Sequence, residues 1–272
     1  MLRRVLRWVS MVIGVTLPLD GVAQTYHLRD GRILLAQQVQ VRGDQLVQRV
    51  ADGASGGAEI GYPLSQVSRL EWPEPDVLKQ AMLEARAGRW ESAMRAASEV
   101  SAVFEPFGKL PGSWWVPAEI LRLKAALALG LQVQAVEVER VVERAPDEPT
   151  RQTSYFLLAW VHVRDGRVRE ARALLSDTRR IPVNAHTEAE AALVWGELHE
   201  RQQAPEAALE SFLRIPVFAP WRDDLQPRAL LGSARAYRRL GDEDRCERAV
   251  IELTDQYPHS REAQLAQKEF NL

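Results

Sequence analysis

The feature that most restricts this chain is a turn that recurs. Gly88, Gly130, Gly166 and Gly241 each separate two stretches with helical apolar spacing, and Gln203 holds the corresponding place in the fourth of five such units. The intervals between these turns are 42, 36, 37 and 38 residues. A glycine after an amphipathic helix accepts the positive φ that stops it. A proline further on ends the second helix and sends the chain into the next unit. From Pro73 onward the sequence is therefore expected to be mainly α, an array of about five helical hairpins. Each hairpin would leave an apolar face that only its neighbour covers, so stability must come from stacking.

The residues around the turns repeat as well. A small residue stands seven before the turn, an aromatic or His four before it, Ala five after it and Pro some seventeen after it. The last unit supplies Ala234, Tyr237, Gly241 and Pro258, and the fourth Gly196, His199, Ala208, Phe212 and Pro220. The third supplies Ala159, His162, Gly166, Ala171 and Pro182. The second offers Gly130, Ala135 and Pro146, the first Ala81, Gly88, Ala93 and Pro106. Small side chains at these positions let two helix axes approach closely, so that the ridges of one seat in the grooves of the other.

This pattern resembles the tetratricopeptide repeat, over residues 75–270. It is a degenerate version: Cys246 stands where Ala is usual, and Glu84 and Ala126 replace the aromatic in the first two units. The resemblance implies a right-handed α-α superhelix, a solenoid that binds a protein or peptide partner in a concave groove lined by the first helix of each unit. Carried over residue by residue, the groove positions include Lys124 in unit two, Phe156 and Trp160 in unit three, Glu197 in unit four, and Arg235 and Arg238 in unit five. Leu127, Val163, Leu193, Glu200 and Leu231 fall in the same register. Such a groove is apolar at its centre, then acidic, then basic towards the C-terminal end. The family's carboxylate clamp needs Lys and Asn at set groove positions; the Asn is missing here, so that function is not implied.

The two ends of the chain differ from the repeats. Residues 1–23 read as a cleaved secretory signal: Arg3, Arg4 and Arg7 precede the apolar run from Trp8 to Leu19, and Gly21-Val22-Ala23 is a small-residue cleavage site. The run is about a dozen residues, short of the roughly 20 that span a bilayer, so no stable membrane insertion is expected after cleavage. A periplasmic or secreted location follows as an expectation. Residues 24–72 form a small β module of four or five antiparallel strands, with Asp30-Gly31 as a type I′ hairpin turn and Gly43-Asp44 and 54–57 as further breaks. Its layout resembles small SH3-like or Sm-like barrels. Residues 73–272 are the tetratricopeptide-like domain.

Composition excludes several function classes. The formal net charge is -2, so no strong field favours nucleic acid. Cys246 is the single cysteine and is read as a small buried filler. The five histidines lack metal-ligand spacing; His162 and His199 are expected to pack between helices, and His186 and His259 to lie in turns. There is no P-loop and no G-x-G-x-x-G, and no enzyme, cofactor or metal site is expected. The carboxylate pairs Asp147-Glu148, Asp223-Asp224 and Asp242-Glu243-Asp244 are read as helix caps. Trp114, Trp115 and Trp221 lie between helices. They plug the ends of the solenoid, or they contact a small ligand or glycan such as peptidoglycan. The leading reading is a non-enzymatic scaffold or adaptor of the cell envelope, with the glycan module as its rival.

Overall fold

The computed structural model describes residues 24–50, 58–178 and 185–270, and divides into two compact units at Pro73. The signal segment, the break at 54–57 and Pro182 lie outside the described residues.

The first unit holds six strands in two three-stranded antiparallel sheets. β1 (Thr25–Leu28) pairs with β2 (Ile33–Leu35) and β6 (Val67–Glu71). β4 (Gln45–Val50) pairs with β3 (Val39–Arg42) and β5 (Ala58–Pro63). Two 3-10 turns, Ala36–Gln38 and Leu64–Gln66, carry the chain from one sheet to the other. Alternation decides what is buried: Tyr26 and Leu28 of β1, Leu34, Leu46, Tyr62, Val67 and Leu70 form the core. Burial pushes the Tyr26 phenol up, and its ring meets Trp72 edge-on at 5.6 Å. The Asp30-Gly31 hairpin forms, but not as a type I′ turn. Only Gly31 has positive φ (89°), the Gly31 N–H donates to the Leu28 carbonyl, and the Leu28 N–H donates to that of Arg32. This is the three-residue loop in which one left-handed residue suffices. Asp30 instead accepts from the backbone and guanidinium of Arg32.

The second unit holds eleven helices among its described residues. Five hairpins pair α1 (Asp76–Arg86) with α2 (Trp90–Phe104), α3 (Trp115–Ala128) with α4 (Ala135–Arg144), α5 (Glu148–Arg164) with α6 (Val168–Thr178), α7 (Ala185–Arg201) with α8 (Pro205–Phe218), and α9 (Gln226–Arg239) with α10 (Glu243–Gln256). α11 (Arg261–Phe270) closes the series against α9 and α10. Gly88, Gly130, Gly166 and Gly241 adopt φ between 72° and 77°, and Gln203 takes φ 57°, the one non-glycine with positive φ among the described residues. All five turns thus use the same left-handed residue.

The small residues sit where close approach demands them. Ala81, Ala93, Ala159, Ala171, Ala208 and Ala234 are all buried. Phe212 of α8 fits between two glycines: a Cβ on Gly196 of α7 would stand 2.5 Å from its ring, and one on Gly232 of α9 2.4 Å. Unit two departs from the pattern. Its turn runs longer, so Ala135 becomes the half-buried first residue of α4, and Val138 takes the buried crossing position. His186 belongs to α7 rather than to a turn. Asp147 and Asp242 do cap, accepting from the Thr150 and Arg245 N–H groups at 2.8 and 3.1 Å. Asp224 is instead held by the Arg222 guanidinium.

Candidate functional site

The first helices α1, α3, α5, α7 and α9, continued by α11, contact one another in series and so form one face of the array. A cavity of about 1090 Å³ lies on that face. Its floor is built by Phe156, Leu157 and Trp160 of α5 and by Leu193 and Val194 of α7. The α1–α2 turn and the start of α2, with Arg86, Arg89, Trp90 and Arg95, line it on one side. The segment joining α10 to α11, with Tyr257, His259 and Arg261, lines another.

Four of the groove positions picked from the sequence meet here: Lys124, Phe156, Trp160 and Leu193. Phe156 and Trp160 are packed into the floor, 3% and 8% exposed, so they present an edge to the basin rather than project into it. Leu127, Val163 and Leu231 are buried between helices. Glu197 does not line the cavity. It lies behind Trp160, accepting the indole N–H at 2.8 Å and pairing with Arg228 at 2.6 Å. The Arg228 guanidinium in turn lies 4.6 Å from the Trp160 ring centroid. Arg235 and Arg238 are taken up by the last helix: Arg235 pairs with Glu269, and Arg238 donates to the Glu269 carbonyl and covers the Phe270 ring. The basic end expected for the groove is thus largely covered from within.

Sequence reasoning missed the charge network across the floor. The Lys124 ammonium bonds Glu190 at 2.6 Å, Glu190 accepts from Arg222 at 3.1 Å, and Arg222 forks onto Asp224 with two 2.8 Å bonds. Burial tends to raise the Glu190 carboxyl, but Lys124 and Arg222 outweigh it and hold the group below the usual carboxylate range. Further along, burial raises the Glu200 carboxyl despite Arg235 and Arg239 nearby. No local pattern announces Arg222, which sits in a loop after Pro220 and reaches its partners only through the fold.

Of the three tryptophans expected between helices, Trp115 is instead the first residue of α3, buried under the Arg144 guanidinium, which lies 4.4 Å from its ring centroid. Trp114 is half-buried. Trp221 is 55% exposed, next to exposed Val217 and Phe218. Of the three, only Trp221 is largely open to solvent. Cys246 is buried, and burial raises its thiol. Burial also lowers His162, while the His199 ring lies 5.3 Å from that of Trp195 and 3.1 Å from the Ala207 carbonyl. Among the described residues no group of three His, Cys, Asp or Glu could hold a metal ion. None of the described helices is long and apolar enough to cross a membrane.

Residues 228–260, from α9 through α10, match the family model described as tetratricopeptide repeat. The chain is similar to a thermophilic tetratricopeptide protein of Thermus thermophilus, with 16% identity, TM-score 0.48, and 72% of this chain and 98% of that one covered. It is also similar to MamA of AMB-1 (16% identity, TM-score 0.33, 70% and 94% covered) and MamA of MSR-1 (17%, 0.33, 71% and 96%). No curated protein matches it. The match at 228–260 covers the fifth hairpin, whose left-handed turn the four preceding hairpins share.

Proposed function

We propose that this chain, a tetratricopeptide-repeat protein, is a non-enzymatic docking scaffold that holds a partner polypeptide in the basin on its first-helix face. Tetratricopeptide proteins are generally protein-interaction scaffolds, and the basin is where this one has room for a partner. The observation that carries the reading is the basin itself: about 1090 Å³, with an apolar floor and rims of Arg, Trp and Tyr. A preformed concave site with a few convergent polar groups is the usual form of a binding site. The sequence of residues 1–23 adds the second half of the proposal: the signal is cleaved after Ala23 and the scaffold works in the periplasm or outside the cell.

Photo-crosslinking residues at Ser92 and Gln264, both exposed on the basin rim, test the reading in cells. They are expected to capture the same partner protein, while a crosslinker at exposed Glu170 on α6 captures none. Equal capture from all three positions would sink the assignment to this face. Sequencing the N-terminus of the purified exported protein is expected to begin at Gln24.

A further inference from the structure

The end of the basin beside Trp160 carries more guanidinium donors than the fold uses. Arg164 of α5, Arg228 of α9 and Arg261 of α11 converge there. Arg261 and Arg228 line the cavity, and Arg164 sits one helical turn beyond Trp160. Arg164 donates from Nη1 to the Leu127 and Leu131 carbonyls, at the end of α3. The Arg261 guanidinium lies over the same turn, with Cζ 2.6 Å from where a Cβ on Gly130 would stand. Gly130 therefore serves both the left-handed turn and this close approach.

Glu197 pairs with Arg228, with Nε nearest at 2.6 Å, and Asp165 adds negative charge near Arg164. Among the described residues the Nη groups of Arg228 have no acceptor, and Arg261 has neither a hydrogen bond nor an ion pair. Burial, and then the charges of Arg228 and Arg261, hold the Arg164 guanidinium below its ordinary value. The neighbouring cations thus add to the cost of burying that charge. Arginine forks match planar or tetrahedral oxyanions with two N–H donors, more strongly than neutral hydrogen bonds.

We propose that Arg228 and Arg261, with Arg164 behind them, seat an oxyanion carried by the docked polypeptide, a carboxylate or a phosphoryl group. This rests on the docking reading above and names the chemistry of one end of that site. The arrangement differs from the Lys-Asn clamp absent from this sequence. Its cations come from two hairpins and the closing helix, and one of them, Arg228, lies over the Trp160 ring.

The probes are fluorescent decapeptides of Leu, Ser and Gly, carrying four Asp, four phosphoserine or four Asn, all amidated, with oligothymidylate as a polyanion of another class. Anisotropy is expected to show binding of the Asp or the phosphoserine peptide and weak or no binding of the Asn peptide. Arg261→Glu, at an exposed side chain, is expected to weaken the anionic peptide about fivefold or more, and Arg261→Lys much less. Which of the two anionic peptides binds more tightly distinguishes the sources. The proposal is overturned if the Asn peptide binds equally, if only oligothymidylate binds, if nothing binds, or if Arg261→Glu leaves affinity unchanged. The docking reading is judged separately, by the Ser92 and Gln264 adducts. Adducts that persist undiminished in the Arg261→Glu protein would leave docking intact and remove the oxyanion seat.

Discussion

At the scale of single residues, the five turns make a controlled comparison. Four are closed by glycine at φ between 72° and 77°, and one by Gln203 at φ 57°. A side chain in the left-handed region costs roughly 1–2 kcal/mol, whereas glycine gives up about 0.5–1 kcal/mol through the greater freedom of the unfolded chain. The two terms differ by about 0.5–1 kcal/mol in glycine's favour. Gln203→Gly is therefore expected to stabilise the protein by about 0.5–1 kcal/mol, and Gly166→Ala to destabilise it by a similar amount. Urea denaturation of both variants checks the signs. A destabilised Gln203→Gly protein would mean that the Gln203 side chain does something the turn alone does not require. The turn glycines were legible in the sequence because φ is a local property. Arg222 and Arg228 were not, because nothing near them in the chain records that they will face Glu190 and Glu197.

At the scale of elements, helix pairs are set by what lies at their crossings. Phe212 is the clearest case. It is 1% exposed and occupies the space left by Gly196 and Gly232 on the two flanking helices. Gly232→Ala would place a Cβ 2.4 Å from the ring, so the ring or the helix must move, at a cost of about 1–3 kcal/mol. Adding Phe212→Leu is expected to recover part of that loss, because the two residues share one space and their effects are not additive. Thermal melts of the two single variants and the pair measure this coupling. Simple additivity would mean that Phe212 does not fill that gap. The longer turn after Gly130 shows the limit of reading elements from a repeat. The spacing placed Ala135 at a crossing, but the three extra residues before α4 moved that place to Val138. Insertions fall outside the reach of a fixed period, since only the packed helix reveals which residue it turns inward.

At the scale of the molecule, the Lys124–Glu190–Arg222–Asp224 network joins the second hairpin to the fourth and to the loop before the fifth. It lines the basin and pairs residues as far as 66 apart in sequence. Glu190→Gln leaves Lys124 without its carboxylate and Arg222 with Asp224 alone, and is expected to cost about 1–3 kcal/mol at neutral pH. The folded protein holds Glu190 below its unfolded value of about 4.3. Its contribution is therefore complete above that value and disappears as pH falls through the lower, folded one. The stability gap between parent and variant, measured by denaturant titration at a series of pH values, is expected to be constant near neutrality and to close in acid. A gap that persists unchanged well below pH ~3 would mean that the carboxylate charge is not what joins these hairpins. The closing helix acts at the same scale. It buries Ala263 and Ala266 against the fifth hairpin and engages Arg235 through Glu269, which gives the array a partly polar end.

What the sequence by itself determined is therefore the alphabet of the fold: helices from the apolar period, their ends from Gly, Pro and capping Asp, their close crossings from Ala and Gly, and the change to β texture before Pro73. Each of these depends on a residue and its neighbours within a few turns. The tertiary structure decided the rest. Arg235 and Arg238, expected in an open groove, are taken by α11, while Arg95, Arg222, Arg228 and Arg261 were brought to the basin from distant units. The physical reason is that a solenoid's curvature accumulates from small rotations at every interface. Which side chains then face each other across the basin depends on all the interfaces together, and no local pattern carries that sum.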